Sequence, residues 1–417
     1  MNILFLTLLD FESLNERNIY TDLLREFQHR GHSICAISPV ERRNGGKTRR
    51  IAAQECVEIF KLKIGNMQKT NIVEKGISTL TIERTLIRAI KKYYSNIQFD
   101  MVLYATPPIT FQKTVRYIKK RDNATTYLML KDIFPQNAVD IGMLKKNGIS
   151  GILYRYFRNK EKKLYYDSDY IGCMSEANVN YLVQNNPEID KSKICVCPNG
   201  IETTKLLTTE IKQEIRRKYG LPNDRVIYVY GGNLGKPQGI PFMVSSIIQA
   251  ANAENAFFII VGSGTEYSYA EQKLAESNKK NILLLPHMPK EEYEQIVKAC
   301  DVGLIFLDSR FTIPNFPSRL LSYMDAAIPV IAATDRNTDM GKVITDNQFG
   351  VWCESKEERD FVSCVKRMLD ANERKKMGEK ARKYLEENYT AQLVCDIIVS
   401  SLREDVAEKV QHRAAGE

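Results

Sequence analysis

"RVIYVYGGNLGKPQGI", residues 225–240, reads as a buried β-strand running straight into a glycine-rich turn and then a helix. Arg225–Tyr230 is apolar without alternation, the pattern of a parallel strand covered on both faces. Gly231, Gly232, Gly235 and Gly239 follow, and they allow close backbone approach to a bulky anion, to which Lys236 adds charge. The turn lacks the GK[ST] of a P-loop. The same strand–turn–helix unit recurs on both sides of it. Ala256–Val261, Ile282–Leu285, Val302–Phe306 and Val330–Ala333 follow in one series. Asn2–Leu9, Ser33–Ser38, Met101–Tyr104, Ala124–Leu130 and Tyr170–Met174 precede it in another. Short apolar strands alternating with amphipathic helices predict an α/β fold of two doubly wound, Rossmann-like domains facing across a cleft. The first helix is expected over about Glu16–Arg30, with Gly31 as its stop. The join lies near 198–220, giving domains 1–200 and 201–389, with a helix at about 390–410 packing back on the first.

The 417 residues exceed what one core usually serves, which agrees with two domains. Hydrophobic residues are 43% and charged residues 27%, too apolar a mixture for disorder. A net charge of +9 suits anionic partners without choosing among them. Nine cysteines make no paired framework, and Cys195-Val196-Cys197 fits neither a zinc knuckle nor a redox pair, so a reducing cytoplasm is expected. "MNILFLTLLDFES" lacks a basic start and a cleavage site, and reads as a first strand rather than a leader. No apolar run approaches the ~20 residues of a spanning helix.

Ligands of open α/β sheets bind at the carboxyl ends of strands, so the strand-to-helix junctions carry the candidate chemistry. After the first strand, Ser13, Asn15, Glu16 and Arg17 are placed to line a cleft, although Ser13 or Asn15 also suits a plain helix cap. No G-x-G-x-x-G occurs there, which argues against a dinucleotide oxidoreductase. Lys131 and Asp132 end a core strand, where a charged pair needs solvation in a cleft or mutual pairing. "IIVGSGTEYSYAEQ", residues 259–272, turns on Gly262, Ser263 and Gly264. In "PNFPSRLLSYMDAAIPVIAAT", residues 314–334, Pro317 suits a first helical turn, Ser318 a cap, and Arg319 sits against the helix dipole. An anion there would relieve that conflict, since guanidinium forks onto phosphate; a solvent-exposed arginine is the plainer alternative.

The order of "GGNLGKPQGI", "VGSGTEY", "LLLPHMPKEEYEQIVKACDVGLIFL" and "PSRLLSYMDAAIPVIAA" resembles the nucleotide-sugar glycosyltransferases of family 4, which have the GT-B fold and retain anomeric configuration. "NERNIYTDLLREFQHRGHSICAISP", "KDIFPQNAVDIGML" and "MSEANVNYLVQNNP" resemble bacterial members that build O-antigen and capsule, nearest to L-fucosamine (N-acetyl-fucosaminyl) transferases. The resemblance covers about residues 1–390. It implies a first domain for the acceptor and a second for a donor, a UDP-linked sugar of the N-acetylated amino or deoxy-amino type. Gly232, Asn233, Gly235, Lys236 and Gln238 would then approach diphosphate and sugar, and Pro317, Ser318 and Arg319 the phosphates. Gly262, Ser263, Gly264, His287 and Met288 would lie near base and ribose. Two features depart from the family. Its loop Arg and Lys correspond here to Asn233 and Gln238, and its two glutamates to Pro314 and Ser322. Asp325 lies off that register and reads as a surface residue.

A retaining transfer needs a stabilised diphosphate leaving group, for which Lys236, Arg319 and helix N–H groups suffice without a metal or other cofactor. The leaving phosphate would take the acceptor proton, with Asp132 and Lys131 as the protein groups nearest that step. Arg155, Arg158, Lys160, Lys162 and Lys163 alternate with tyrosines and Phe157, as in a helix lying on anionic lipid, or in a solvated helix with a buried aromatic stripe. No nucleic-acid module accompanies them. The expectation is a peripheral enzyme at the inner membrane face, with a polyprenyl-diphosphate-linked saccharide as acceptor. A UDP-sugar 2-epimerase and a non-catalytic sugar-nucleotide-binding subunit remain as alternatives.

Overall fold

The computed structural model of the chain describes residues 1–53, 56–66 and 72–414, of which 52–53, 72–77, 79–80 and 403–414 as backbone alone. Residues 1–202 with 391–417 form one unit and 203–390 a second.

Unit 1 holds β1 (Asn2–Leu6), α1 (Ile19–His29), β2 (Ser33–Glu41), β3 (Arg49–Ala53), β4 (Val57–Ile64), α2 (Ile72–Tyr93), β5 (Met101–Ala105), α3 (Gln112–Asp122) and β6 (Thr125–Leu130). It continues through α4 (Gln136–Asp140), α5 (Gly148–Asp167), β7 (Tyr170–Cys173), α6 (Glu176–Asn185) and β8 (Ile194–Val196). The strand order is β3-β4-β2-β1-β5-β6-β7-β8, parallel except where β3 pairs with β4. Helices cover both faces, and each face has its own core. One contains Leu4, Tyr104 and Leu128; the other contains Phe5, Leu103 and Tyr127, the alternate residues of the same strands.

Unit 2 runs α7 (Thr209–Lys218), β9 (Val226–Asn233), α8 (Ile240–Ala250), β10 (Ala256–Ser263), α9 (Tyr267–Glu276), β11 (Ile282–Pro286), α10 (Lys290–Ala299) and β12 (Val302–Phe306). Then come α11 (Arg319–Asp325), β13 (Val330–Thr334), α12 (Met340–Asp346), β14 (Gly350–Glu354), α13 (Glu358–Arg367) and α14 (Ala371–Asn388). Its sheet is wholly parallel, in the order β11-β10-β9-β12-β13-β14. The last helix, α15 (Ala391–Ala414), belongs to unit 1, where Val394, Ile398 and Leu402 join the core of Leu23 and Phe27.

Two Rossmann-like parallel-sheet units are therefore present, as expected. The chain moves outward from β1 in one direction and from β5 in the other, and likewise from β9 and β12. Those reversals leave a crevice at the carboxyl ends of β1/β5 and of β9/β12, where such folds bind ligands. The first helix is shorter than expected because Asn18, not Ser13 or Asn15, is its cap. The Asn18 side chain accepts from the Tyr20 and Thr21 amides, and Thr21 Oγ1 accepts from the Asn18 amide in return. Among the described residues no helix is long and apolar enough to cross a membrane.

Candidate functional site

Register brings three of the expected donor loops to one end of the unit 2 sheet. Gly232 of β9 pairs with Gly262 of β10, which pairs with Pro286 of β11. The turns at 233–239, 263–266 and 287–289 therefore leave the sheet side by side. The Leu234 amide donates to Ser263 O at 2.9 Å, and the Glu266 amide to Leu234 O at 2.9 Å, tying the first two turns together. A Cβ on Gly262 would collide with the Gly232 carbonyl, and one on Gly264 with that of Leu234. These two glycines are thus required by loop-on-loop packing. Gly232 differs: its φ of +132° is open to glycine alone, and its missing side chain leaves room for the Arg319 guanidinium.

Arg319 is the centre of this region. Its Cζ lies 4.5 Å from the Tyr230 ring centroid, a cation–π stack on a β9 side chain. Its Nη1 is buried with no hydrogen-bond partner, and no acid pairs with it among the described residues. It is therefore not the solvent-exposed arginine of the plainer alternative. Tyr293 of α10 lies beneath Gly231, and its Oη is likewise buried without a partner. Ser318 makes no side-chain cap bond, contrary to expectation, because it already has helical φ/ψ. The Leu320 and Leu321 amides bond back to Pro317 O and Ser318 O, so the cation here is the guanidinium rather than a free helix end.

Lys236 is exposed on the glycine turn, while the side-chain amide of Gln238 donates to the carbonyls of Asn233 and Gly235 at 3.2 Å each and closes the turn. Asn233 and Gln238 shape the turn instead of supplying the family's missing cations. Beside it, a cavity of about 280 Å³ is lined by Lys236, Phe242, Glu266, Asp308, Arg310 and Ser355. Glu266 Oε2 and Ser355 Oγ are buried there without partners, whereas Asp308 and Arg310 pair at 2.7 Å. A larger cavity of about 540 Å³, lined by Trp352, Arg367 and Lys376, touches none of the expected residues. His287 is exposed and Met288 half-buried after β11.

Asp325 is not the surface residue it resembles in sequence. It is buried, held by Arg382 at 2.7 Å and by the Thr204 amide at 2.8 Å, and it links α11 to α14 and to the start of unit 2. No carboxylate takes up the duty of the absent glutamates on α11: Ser322 is half-buried and Asp325 is committed elsewhere.

In unit 1 the β6 end is organised by Thr106 after β5. Its Oγ1 accepts from the Lys131 amide at 3.1 Å and donates to Asp132 O at 3.2 Å. Lys131 and Asp132 do not pair with each other. Asn137 Nδ2 donates to both carboxylate oxygens of Asp132, at 2.8 Å each, while Lys131 Nζ faces the carbonyls of Cys197 and Pro198 at 3.5 and 3.4 Å. Burial pushes the Asp132 carboxyl up to about 6, ahead of the opposing hydrogen bonds, and pushes the Lys131 amine down. Asn199, two residues past Cys197, carries a buried Oδ1 without a partner.

The loop after β1 closes on itself. Ser13 Oγ accepts from the Asn15 amide at 3.0 Å, and Glu16 Oε1 from the Glu12 amide at 2.8 Å. Arg17 Nη2 donates to Glu202 O at 2.6 Å. The basic set on α5 is split. Arg155 and Lys163 are exposed, but Lys160 is buried against Glu83 at 2.6 Å, Arg158 grips Glu161 at 2.6 Å, and Lys162 pairs with Glu188 at 2.9 Å. Lys160 and Arg158 therefore fasten the helix to its own domain and are not surface cations.

Residues 211–384 match the model of the family described as "Glycosyl transferases group 1". Across 357 residues the chain is 21% identical to "Probable glycosyltransferase WbjE" of Pseudomonas aeruginosa, covering 85% of each. Over 249 residues it is 20% identical to "Putative colanic acid biosynthesis glycosyl transferase WcaI" of Escherichia coli, covering 58% of this chain and 60% of that one. The solved structure of Anabaena Alr3699/HepE in complex with UDP-glucose aligns with a TM-score of 0.66 at 13% identity, over 97% of this chain and 100% of that one. A family match within the second unit, glycosyltransferase relatives and two Rossmann-like units lead to one statement: this enzyme is a glycosyltransferase with the GT-B fold, and residues 211–384 of its second unit are similar to the group 1 glycosyl transferases.

Proposed function

We propose that the enzyme moves a sugar, of the N-acetylated amino or deoxy-amino type, from a UDP-sugar to a polyprenyl-diphosphate-linked saccharide with retention, during synthesis of a surface polysaccharide such as O-antigen or capsule. The observation that carries the donor half is Arg319. A half-buried arginine whose Nη1 is buried without a partner or counter-ion is costly, and a bound diphosphate would supply both its charge and its hydrogen-bond acceptors. Lys236 on the adjoining turn adds a second cation, so the leaving group is stabilised without calling on a metal or other cofactor. The UDP-glucose of the Anabaena neighbour and the colanic acid named for the Escherichia coli relative support the donor class and the setting.

On this reading Gly232, Asn233, Gly235 and Gln238 form the wall of the diphosphate site, with Pro317 and Ser318 at its rim. Gly262, Ser263, Gly264, His287 and Met288 border the nucleoside. The residues 1–200 serve the acceptor, with Ser13, Asn15, Glu16 and Arg17 shaping its loop. Asp132, ionised above about 6, anchors the acceptor sugar by accepting from a hydroxyl beside the attacking one, and the departing phosphate takes the attacking hydroxyl's proton on the same face. The enzyme acts at the cytoplasmic face of the membrane.

The test is a thermal-shift screen of UDP-, GDP- and dTDP-sugars, followed by transfer to a polyprenyl-diphosphate saccharide. Stabilisation by UDP-sugars and a retained linkage in the product are expected. Failure of every nucleotide sugar to stabilise the protein would overturn the reading, and donor turnover without acceptor would move it to an epimerase.

A further inference from the structure

The first two turns of α5 carry an apolar face that is exposed among the described residues. Ile149 is 90% exposed and Ile152 62%, with Leu153 and Tyr156 beside them and Met143, 63% exposed, in the loop before the helix. Steps of three and four residues place these four helical side chains on one stripe. One turn further along, the same stripe carries Lys160, buried against Glu83. Beyond Tyr156 the stripe carries no exposed apolar residue: Lys160 is packed and Lys163 is exposed. Single exposed apolar residues are ordinary, but a contiguous cluster on one face marks an interaction surface.

Cations surround it. Lys145, Lys146, Arg155 and Lys163 are exposed, and none is in an ion pair among the described residues. Lys146 Nζ lies 5.5 Å from the Tyr154 ring centroid, beside the stripe. The acid within this part of the helix, Glu161, is buried and held by Arg158 and Tyr165. An apolar stripe ringed by unpaired positive charge would repel a second copy of itself and is complementary to an anionic, apolar-cored surface.

We propose that Met143, Ile149, Ile152, Leu153 and Tyr156 insert into the headgroup–acyl boundary of an anionic phospholipid bilayer, with Lys145, Lys146, Arg155 and Lys163 on the phosphates. This deepens the proposed function by naming the surface that meets the membrane: of the basic set expected on α5 only Arg155 and Lys163 remain, since Arg158, Lys160 and Lys162 are in ion pairs. Docking rests on apolar insertion by the start of α5, and Lys160 and Arg158 take no part. The acceptor, carried on a lipid, would then be delivered to the same side of unit 1.

The test uses the full chain with no donor or acceptor present, so it stands apart from any failure of the transfer reaction. Co-sedimentation is measured with vesicles of phosphatidylglycerol and phosphatidylethanolamine, and with phosphatidylcholine alone. Binding to the anionic vesicles only, weakening with salt, is expected. The combined variant Ile149→Ser, Ile152→Ser, Leu153→Ser should lose at least tenfold in vesicle affinity with its circular dichroism unchanged, since all three side chains are exposed. Lys162→Gln, which touches the Glu188 pair instead, should bind as the parent does. Ile152→Trp adds a second tryptophan to the single Trp352, and brominated acyl chains should quench it. Equal sedimentation of the triple variant and the parent would overturn the proposal. So would a lipid-independent dimer that the triple variant abolishes, which would make the face a contact between copies.

Discussion

Arg319 illustrates how a single side chain can be placed by sequence and still be understood only in three dimensions. Its position at the start of "SRLLSYMD" was legible; its burial was not, because Tyr230, the ring it stacks on, lies 89 positions earlier inside an apolar strand and reads there as core. Replacing it with methionine keeps the volume and removes the unpaired charge. Affinity for UDP-sugar should fall by about 10- to 100-fold, the loss of charge-assisted hydrogen bonds of roughly 1.5–3 kcal/mol. The unfolding midpoint of the nucleotide-free protein should rise, because a half-buried cation with an unpartnered Nη1 is gone. Calorimetric titration and scanning calorimetry read the two effects, and unchanged nucleotide affinity would place the diphosphate elsewhere. Asp132 offers a pH test. Its folded carboxyl sits near 6 against an ordinary 3.8, so the folded state keeps the proton across that window. The stability this contributes is present below the ordinary value and lost as pH rises through about 6. Asp132→Asn should flatten that decline. If the ionised carboxylate assists transfer, kcat should climb with a midpoint near 6 in the parent and lose that limb in the variant. A parental rate profile that is level from pH 5 to 8 would remove Asp132 from the step. Asp325 marks the limit of sequence reading at this scale: its partners Arg382 and Thr204 are remote in the chain, and only the fold shows that it is an internal brace.

At the level of elements, periodicity was informative where a helix or strand meets one environment throughout, and misleading where the environment changes along its length. Helix α5 is the clearest case. Its basic and aromatic residues suggest one continuous lipid-facing surface, yet Glu83 of α2 captures Lys160 midway. Strand β4 was invisible for a related reason. "VEIFKLKI" alternates apolar and charged residues as an exposed strand would, but Lys61 is almost fully buried, pairing with Asp10 and donating to Phe11 O and Ser38 Oγ at 3.1 Å each. That lysine fixes the start of the loop after β1. Breaking the Lys160–Glu83 pair by Lys160→Met strands a buried carboxylate and should cost about 3–5 kcal/mol, whereas Lys162→Met, at an exposed pair, should change stability by no more than about 1 kcal/mol. Urea unfolding of the two variants distinguishes them, and equal, small losses would mean that Lys160 is not the internal anchor of α5.

Across the whole molecule, what the sequence conveyed best was the double recurrence of strand and helix, since parallel strands buried on both faces write themselves as short apolar runs. What it conveyed least was the sheet order, because nothing local tells β12 to cross to the other side of β9. That crossing puts the glycine turn at a topological switch point and brings the loops after β9, β10 and β11 together. If the donor occupies this place, its binding energy belongs to the second unit. Unfolding of a chain with two units is not expected to be a single transition. UDP at 100 times its Kd should stabilise by about 2.7 kcal/mol whichever transition reports the unit that holds it, and should leave the other in place. Hydrogen–deuterium exchange of the full chain locates that unit directly. Slowed exchange is expected in peptides spanning 228–240, 259–272 and 314–322. Protection confined to peptides from 1–202 would assign the nucleotide to the first unit, and with it reverse the roles proposed for the two halves.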